Sequence, residues 1–358
     1  SMKFEQIMPS ASTMADATLP TVAMDTEAGT QYNVLHGYTM ELDSTLFYGN
    51  ITPVNKDRKL AITINTYGED VESVGYKIRS LEDKSLIENT EVSGYQVTDN
   101  KINVTLNIKN LLDTGKEYAL EVVLKTKKHD EVYYYTRIMY GTDYDLQKKL
   151  DFVKDFNACT FDSARLKDIG GYLETSSVGD NTNYGKVNIN CSLSQVGWGD
   201  LEPYIESEIT PEIISINDDV AIIRLDYRVG AANDYSSSDT YNVNEYYRIR
   251  QANSGFYLLN FEREMNQVFD AKNDLTSSAK INLGINPSTD VNCTSDEKGI
   301  YTYFVNQGSL WCFNSSSQTF TRVFSFKGEE TDSVREGYDA HNIKIMKIED
   351  NGDATFLV

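Results

Sequence analysis

The sequence predicts a mainly β, multi-domain chain with a minor α+β part. Three observations carry this. Short runs of β-branched and aromatic residues alternate with polar ones and are cut by Gly, Asn and Asp turn signals. The bulk comes from 24 Tyr and 14 Phe, with only 6 Pro, which is a composition of strands. Only Asp143 to Asn157 repeats its apolar residues at helical spacing. A length of 358 residues suits two or three domains.

Lys3 to Thr30 is rich in Ser, Ala, Thr, Met and Asp without periodicity. Residues 1–30 therefore read as an extended lead-in, with Leu19-Pro20-Thr21-Val22 as its first ordered piece. Ser1-Met2 reads as a cloning remnant, so a natural leader can have been removed.

Residues 31–141 read as a β-sandwich. The expected strands are Tyr32–Leu35, Thr45–Tyr48, Leu60–Thr66, Val74–Ser80, Leu86–Glu91, Ile102–Ile108, Glu117–Thr126 and Val132–Tyr140. Turn signals such as Tyr67-Gly68-Glu69-Asp70 separate them. Within this stretch, Leu112-Asp113-Thr114-Gly115-Lys116-Glu117-Tyr118 resembles the leucine-to-tyrosine spacing of the fibronectin type III tyrosine corner. The resemblance covers these seven residues and the strand that follows. It implies an Ig/FN3-like sandwich in which the Tyr118 hydroxyl bonds back to the backbone at a crossover. Tyr133-Tyr134-Tyr135 alternates faces, serving core or interdomain packing on one reading and a sugar platform on the other.

Residues 142–270 read as an α+β module opened by the helix. Leu146, Leu150, Val153 and Phe156 form its stripe, Phe152 broadens it, and Asp143 or Asp145 can cap it. Ala221 to Val229 places Ile223, Leu225, Tyr227 and Val229 on one side, with Tyr241 to Arg250 as partner strand and Gly255 to Asn260 as another. Phe261 to Phe269 either continues that strand or starts a short helix. Long antiparallel strands under one helix resemble cone-shaped extracytoplasmic binding or packing modules, an analogy of fold only.

Residues 271–358 start with a polar linker and one strand, Lys280–Ile285. Then Ile300–Val305, Leu310–Phe313 and Thr319–Phe326 form a meander, and Asn342–Ile348 and Ala354–Val358 flank the turn Asp350-Asn351-Gly352-Asp353. The segments Ser309 to Phe313 and Ala354 to Val358 lie about 45 residues apart, a blade-like period. The pattern resembles a generic β-propeller blade. A closed propeller takes about four to eight blades, so this resemblance implies incomplete propeller-like blades and a longer parent protein. An antiparallel meander in a sandwich is the alternative.

Net charge is −21, from 54 Asp+Glu against 33 Lys+Arg. That excludes nucleic acid and anionic membrane surfaces as natural partners and suits a secreted or membrane-anchored, extracytoplasmic protein. No stretch reaches the ~18 apolar residues of a membrane span. Cys159, Cys191, Cys293 and Cys312 are scattered, without a Cys-x-x-Cys pair, and read as single thiols. His36, His129 and His341 are the 3 histidines, each in a different segment. Metalloprotease, nucleophile-elbow, P-loop and dinucleotide motifs are absent.

The candidate ligand-binding residues are Trp198, Trp311, Asp339 and His341. Trp198 sits between Gly197 and Gly199, which either expose its ring or let the backbone pack closely. Asp332, Arg335, Glu336, Asp339 and His341 share one loop, a cation or sugar site on one reading and a solvated loop on the other. Bound Ca²⁺ is the one cofactor this suggests; no catalytic residue and no resident metal set is assigned. The expected role is protein interaction or cell-surface assembly with a protein or glycan partner. The alternative is a carbohydrate-binding or accessory region of a carbohydrate-active enzyme.

Overall fold

A computed structural model describes residues 19–141, 144–232, 238–270, 292–325 and 342–358, together with the backbone of the short strands Glu5–Ile7, Thr276–Ser277 and Lys280–Ile281. Strands dominate it, and the mainly β class holds.

Two five-stranded sheets form the first layer pair. One runs Gln31–Leu35, Thr21–Asp25, Lys59–Asn65, Lys101–Asn107, Gln96–Thr98. The other runs Ile51–Val54, Val132–Tyr140, Glu117–Thr126, Val71–Ser80, Leu86–Val92. Alternation sets their inner faces. Val22, Met24, Ile62, Ile64, Val104 and Leu106 from the first pack in one cluster with Val74, Tyr76, Ile78, Leu120, Val122 and Leu124 from the second. The Tyr118 hydroxyl accepts a hydrogen bond from the Asp113 amide at 2.9 Å, a bond back to the backbone of the kind that the resemblance at Leu112 to Tyr118 implies.

Two expectations for this region need correction. Thr21–Asp25 is not lead-in but an inner strand, paired on both sides by Gln31–Leu35 and Lys59–Asn65; its Thr-Val-Ala-Met run is buried along most of its length. Thr45–Tyr48 is not a strand. Ser44–Leu46 is a 3-10 turn capped by the Asp43 carboxylate on the Thr45 amide. Asp43 offers the backbone a local partner, which competes with sheet pairing.

The third sheet is antiparallel and long-stranded. Val220–Ala232, Ser238–Ala252 and Gly255–Gln267 form its centre, flanked by Lys186–Asn188 and by Tyr204–Ile205, with Glu212–Ile216 also on Val220–Ala232. Phe261 and the residues after it continue the strand to Gln267, so the short-helix alternative is set aside: Phe261, Arg263 and Met265 keep period-two register opposite Tyr247, Glu245 and Val243. The helix Leu146–Thr160 lies against this sheet, with Leu150, Val153 and Phe156 buried. Asp145 occupies its N-cap position with left-handed backbone and makes no side-chain cap bond. Its carboxylate instead accepts from Lys148 and Gln251. Asp143 lies outside the described residues.

The sandwich and the long sheet share one apolar cluster. Asn33 joins them. Its amide NH₂ donates to the Ile51 carbonyl at 2.8 Å, and its Oδ1 accepts from the Ile213 amide at 2.7 Å. Its backbone takes φ 48°, a left-handed conformation that Asn tolerates better than most residues.

The last sheet is the meander Cys293–Ser295, Tyr301–Asn306, Ser309–Asn314, Thr319–Ser325, with Glu5–Ile7 added in parallel at its outer edge. A hairpin, Lys344–Ile348 and Ala354–Leu357, supplies Ile345 to one face of this sheet. Of the expected strand Lys280–Ile285, Lys280–Ile281 is paired and the remainder lies outside the described residues.

Candidate functional site

A buried polar cluster lies under the helix. On Ser238–Ala252, Val243, Glu245, Tyr247 and Ile249 share the inward phase, so the strand carries a carboxylate into the core. Arg263 is its register partner on the next strand. The Arg263 Nε donates to Glu245 Oε1 at 2.8 Å, with both side chains 0% exposed. Tyr227 donates to Oε1 at 2.8 Å, Tyr247 to Oε2 at 2.6 Å and the Asn157 amide to Oε2 at 2.9 Å.

Charged groups leave water only when their bonds are replaced, and here the carboxylate is fully supplied. Burial, with the Glu245 charge beside them, pushes the Tyr227 and Tyr247 hydroxyls well above the usual phenol range. Burial alone would depress Arg263, but Glu245 outweighs it and the guanidinium is held more firmly charged than usual. Arg263 Nη1 donates to the Val196 carbonyl at 2.8 Å. The guanidinium carbon stands 3.6 Å from the Trp198 ring centroid, a cation–π contact in a dry setting.

This geometry places Trp198. The ring is 1% exposed, its Nε1 donates to Thr160 Oγ1 at 3.3 Å, and Phe161 packs on it with centroids 5.3 Å apart. The flanking glycines serve close packing. A Cβ on Gly197 would stand 2.3 Å from Leu166 Cδ2, and one on Gly199 would stand 2.1 Å from the Tyr184 hydroxyl. Trp198 itself takes φ 69°, a strained conformation for a bulky residue that persists only where its surroundings fix it. Trp198 is a core anchor, and its ring is not open for stacking.

Trp311 is also buried, edge-on to Phe269 with centroids 4.9 Å apart, in a cluster with Phe304 and Phe320. Asp339 and His341 lie outside the described residues, as do Asp332, Arg335 and Glu336. Of the four sequence candidates, the two that the structure describes, Trp198 and Trp311, sit in separate buried clusters. Among the described residues no group of three or more His, Cys, Asp or Glu side chains is placed to hold a metal ion. Asp350 to Asp353 form a turn in which Asn351 donates to Asp353 and Asp350 pairs with Lys298 at 3.0 Å.

The tyrosine run is covered. Tyr134 donates to the Pro20 carbonyl at 2.6 Å. Tyr135 stacks on Phe47 with centroids 4.3 Å apart and accepts from the Leu42 amide at 2.7 Å. What covers it is the segment Met40–Tyr48, which holds a second arrangement of functional interest.

That segment is fastened at several points. Lys84 pairs with Asp43 at 2.6 Å, Lys77 with Glu41 at 2.9 Å, and Arg137 Nε donates to the Phe47 carbonyl at 2.7 Å. The Lys84 ammonium and the Thr45 hydroxyl hold the Asp43 carboxyl at about 2. Phe47 turns inward onto Tyr135, while other apolar side chains of the segment turn outward. Met40 is 71% exposed, Leu46 64% and Tyr48 71%, the last beneath the Arg137 guanidinium. Leu86, also exposed, follows Lys84 and Ser85 on the neighbouring edge strand.

Sequence reasoning overlooked both arrangements. Glu245 was detectable as a charge on the apolar phase of Val243, Tyr247 and Ile249, and Arg263 as one between Phe261 and Met265. The Met40–Tyr48 face was hidden by reading part of it as a strand.

Among the described residues, no helix is long and apolar enough to cross a membrane. No protein-family model matches the chain, and no curated protein matches it.

Proposed function

We propose that the chain is a non-catalytic, extracytoplasmic binding protein acting in protein interaction or cell-surface assembly. In this reading a fibronectin type III-like sandwich and an α+β module form a support, followed by blade-like C-terminal strands. The observation that carries it is the contrast between interior and surface. The inner carboxylate Glu245 is saturated by its own neighbours, whereas Met40, Leu46 and Tyr48 are held outward on fixed backbone. Preorganised apolar side chains contribute to binding without an ordering cost at the moment of contact. The acidic excess supports an extracytoplasmic setting, and the partner surface expected is apolar with a basic rim.

The carbohydrate reading retains exposed rings at Tyr48, Tyr204 and Tyr257 once both tryptophans are seen to be buried. The Ca²⁺ reading retains the acidic 332–339 segment.

The test compares retention of the purified chain on envelope fractions of its parent cell with that of a Leu46→Asp/Tyr48→Asp variant. The proposal expects at least a tenfold loss for the variant, equivalent to about 1.4 kcal/mol, no signal on a diverse glycan array, and a melting temperature unmoved by EDTA. Equal retention of variant and wild type ends the proposal. A glycan signal lost on Tyr204→Ala or Tyr257→Ala transfers the function to sugars.

A further inference from the structure

The long sheet has a second face. Its inner phase, Ala221, Ile223, Tyr247, Ile249 and Leu258, is buried on the helix side. The same alternation sets the outer phase. Close to the turn between Ser238–Ala252 and Gly255–Gln267, two outer rows cross the three strands. Val220, Arg250 and Tyr257 form one, and Ile222, Arg248 and Asn260 the other. Both arginines and Tyr257 are exposed, while Val220, Ile222 and Asn260 are partly buried beside them.

With 54 acidic residues to 33 basic ones, a cation in this chain has carboxylates in ready supply. Arg165 pairs with Asp155 at 2.5 Å, and Arg224, one row further on, pairs with Glu212 at 3.1 Å and with Asp226 at 2.9 Å. Among the described residues, no carboxylate stands within ion-pair distance of Arg248 or Arg250. Arg250 is oriented by a ring instead, its guanidinium carbon 5.1 Å from the Tyr257 centroid. The Tyr257 hydroxyl is itself 3.3 Å from the Ser254 hydroxyl. A guanidinium set over a ring keeps its N–H edges for a bidentate acceptor.

We propose that these two rows bind an extended acidic segment of a partner protein. Arg248 and Arg250 are alternate residues of one strand, so their Cα atoms lie about 6.8 Å apart. Alternate side chains of an extended peptide repeat at that same distance, so carboxylates at alternate positions meet one guanidinium each. Val220 and Ile222 give the aliphatic stems of those acids an apolar floor. The net charge of −21 repels such a partner from afar, but charges beyond about 8 Å are largely screened at physiological salt. Within that reach Glu262 is the opposing group, diagonal to Arg248, exposed, and accepting from the Asn260 amide at 3.3 Å. The inference goes beyond the proposed function and does not use the Met40–Tyr48 face, so either can fail alone.

The test is fluorescence anisotropy of the full chain with a labelled peptide alternating Glu and Thr. Saturable binding is expected, weaker for a peptide of equal composition with its Glu residues adjacent, and absent for one alternating Lys and Thr. Arg248→Glu/Arg250→Glu should weaken binding at least about tenfold. Arg248→Lys/Arg250→Lys should recover only part of that loss, because an ammonium lacks the planar fork. Glu262→Gln should tighten binding, and Leu46→Asp/Tyr48→Asp should leave it unchanged. The substituted side chains are exposed, and each variant's melting temperature checks that it folds. No saturable binding of the alternating peptide overturns the proposal, as does equal binding by the Arg248→Glu/Arg250→Glu variant. Binding of a sulfated oligosaccharide alone, lost in that variant, also overturns it and assigns the rows to anionic sugars.

Discussion

Glu245 has exchanged water for four side chains, and each of them carries part of its stability. Breaking a buried ion pair by removing one partner typically costs about 3–5 kcal/mol, because the other charge is stranded. Glu245→Gln or Arg263→Met should each lower unfolding free energy by that amount in urea titration. The double variant should lose clearly less than the two single losses combined, because the second change removes a charge that the first has stranded. Additivity would mean that the two charges do not depend on each other. The tyrosines around the carboxylate give a pH signature. Burial beside the Glu245 charge raises their folded pKa values well above the ordinary phenol value of 10.0. Their contribution is therefore complete below pH 10 and is lost as pH rises beyond it, since the unfolded chain ionises first. Tyr227→Phe/Tyr247→Phe should flatten the alkaline fall in stability, read by unfolding curves between about pH 9.5 and 11.5. An unchanged slope would place these hydroxyls in contact with water.

At the level of the element, Asn33 shows how a single polar side chain fixes one layer on another. It meets the Pro211 carbonyl through its backbone amide and the Ile213 amide through its side chain. Asn33→Ala should cost about 1–3 kcal/mol, the penalty of a buried amide left without its acceptor, and should speed hydrogen exchange at Ile213. The elements themselves were largely legible in the sequence. Glu117–Thr126 and Val132–Tyr140 match their expected bounds, because both carry uninterrupted β-formers and end at turn residues. The helix was legible through Leu146, Leu150, Val153 and Phe156 but runs to Thr160, where Asn157 and Thr160 are polar for the sake of Glu245 and Trp198. Thr21–Asp25 was not legible: its Val-Ala-Met run is too short to show period two, and pairing with Gln31–Leu35 and Lys59–Asn65 orders it. The candidate site fared worse. A glycine-flanked tryptophan looks the same in sequence whether it is exposed or packed, and only the Leu166 and Tyr184 contacts decide.

Across the whole molecule, one apolar cluster runs from the sandwich through the helix to the long sheet, while the C-terminal sheet keeps two clusters of its own. A continuous core makes the first part a stiff support for Met40–Tyr48, and separate cores let the C-terminal sheet unfold locally without disturbing it. Native-state hydrogen exchange on the full chain reads this most directly. The slowest amides of Lys59–Asn65, Glu117–Thr126, Val220–Ala232 and Ser238–Ala252 should exchange as one cooperative class, with Ser309–Asn314 in a distinct, faster one. Separate opening of the sandwich and the long sheet, each with its own free energy, would contradict the account.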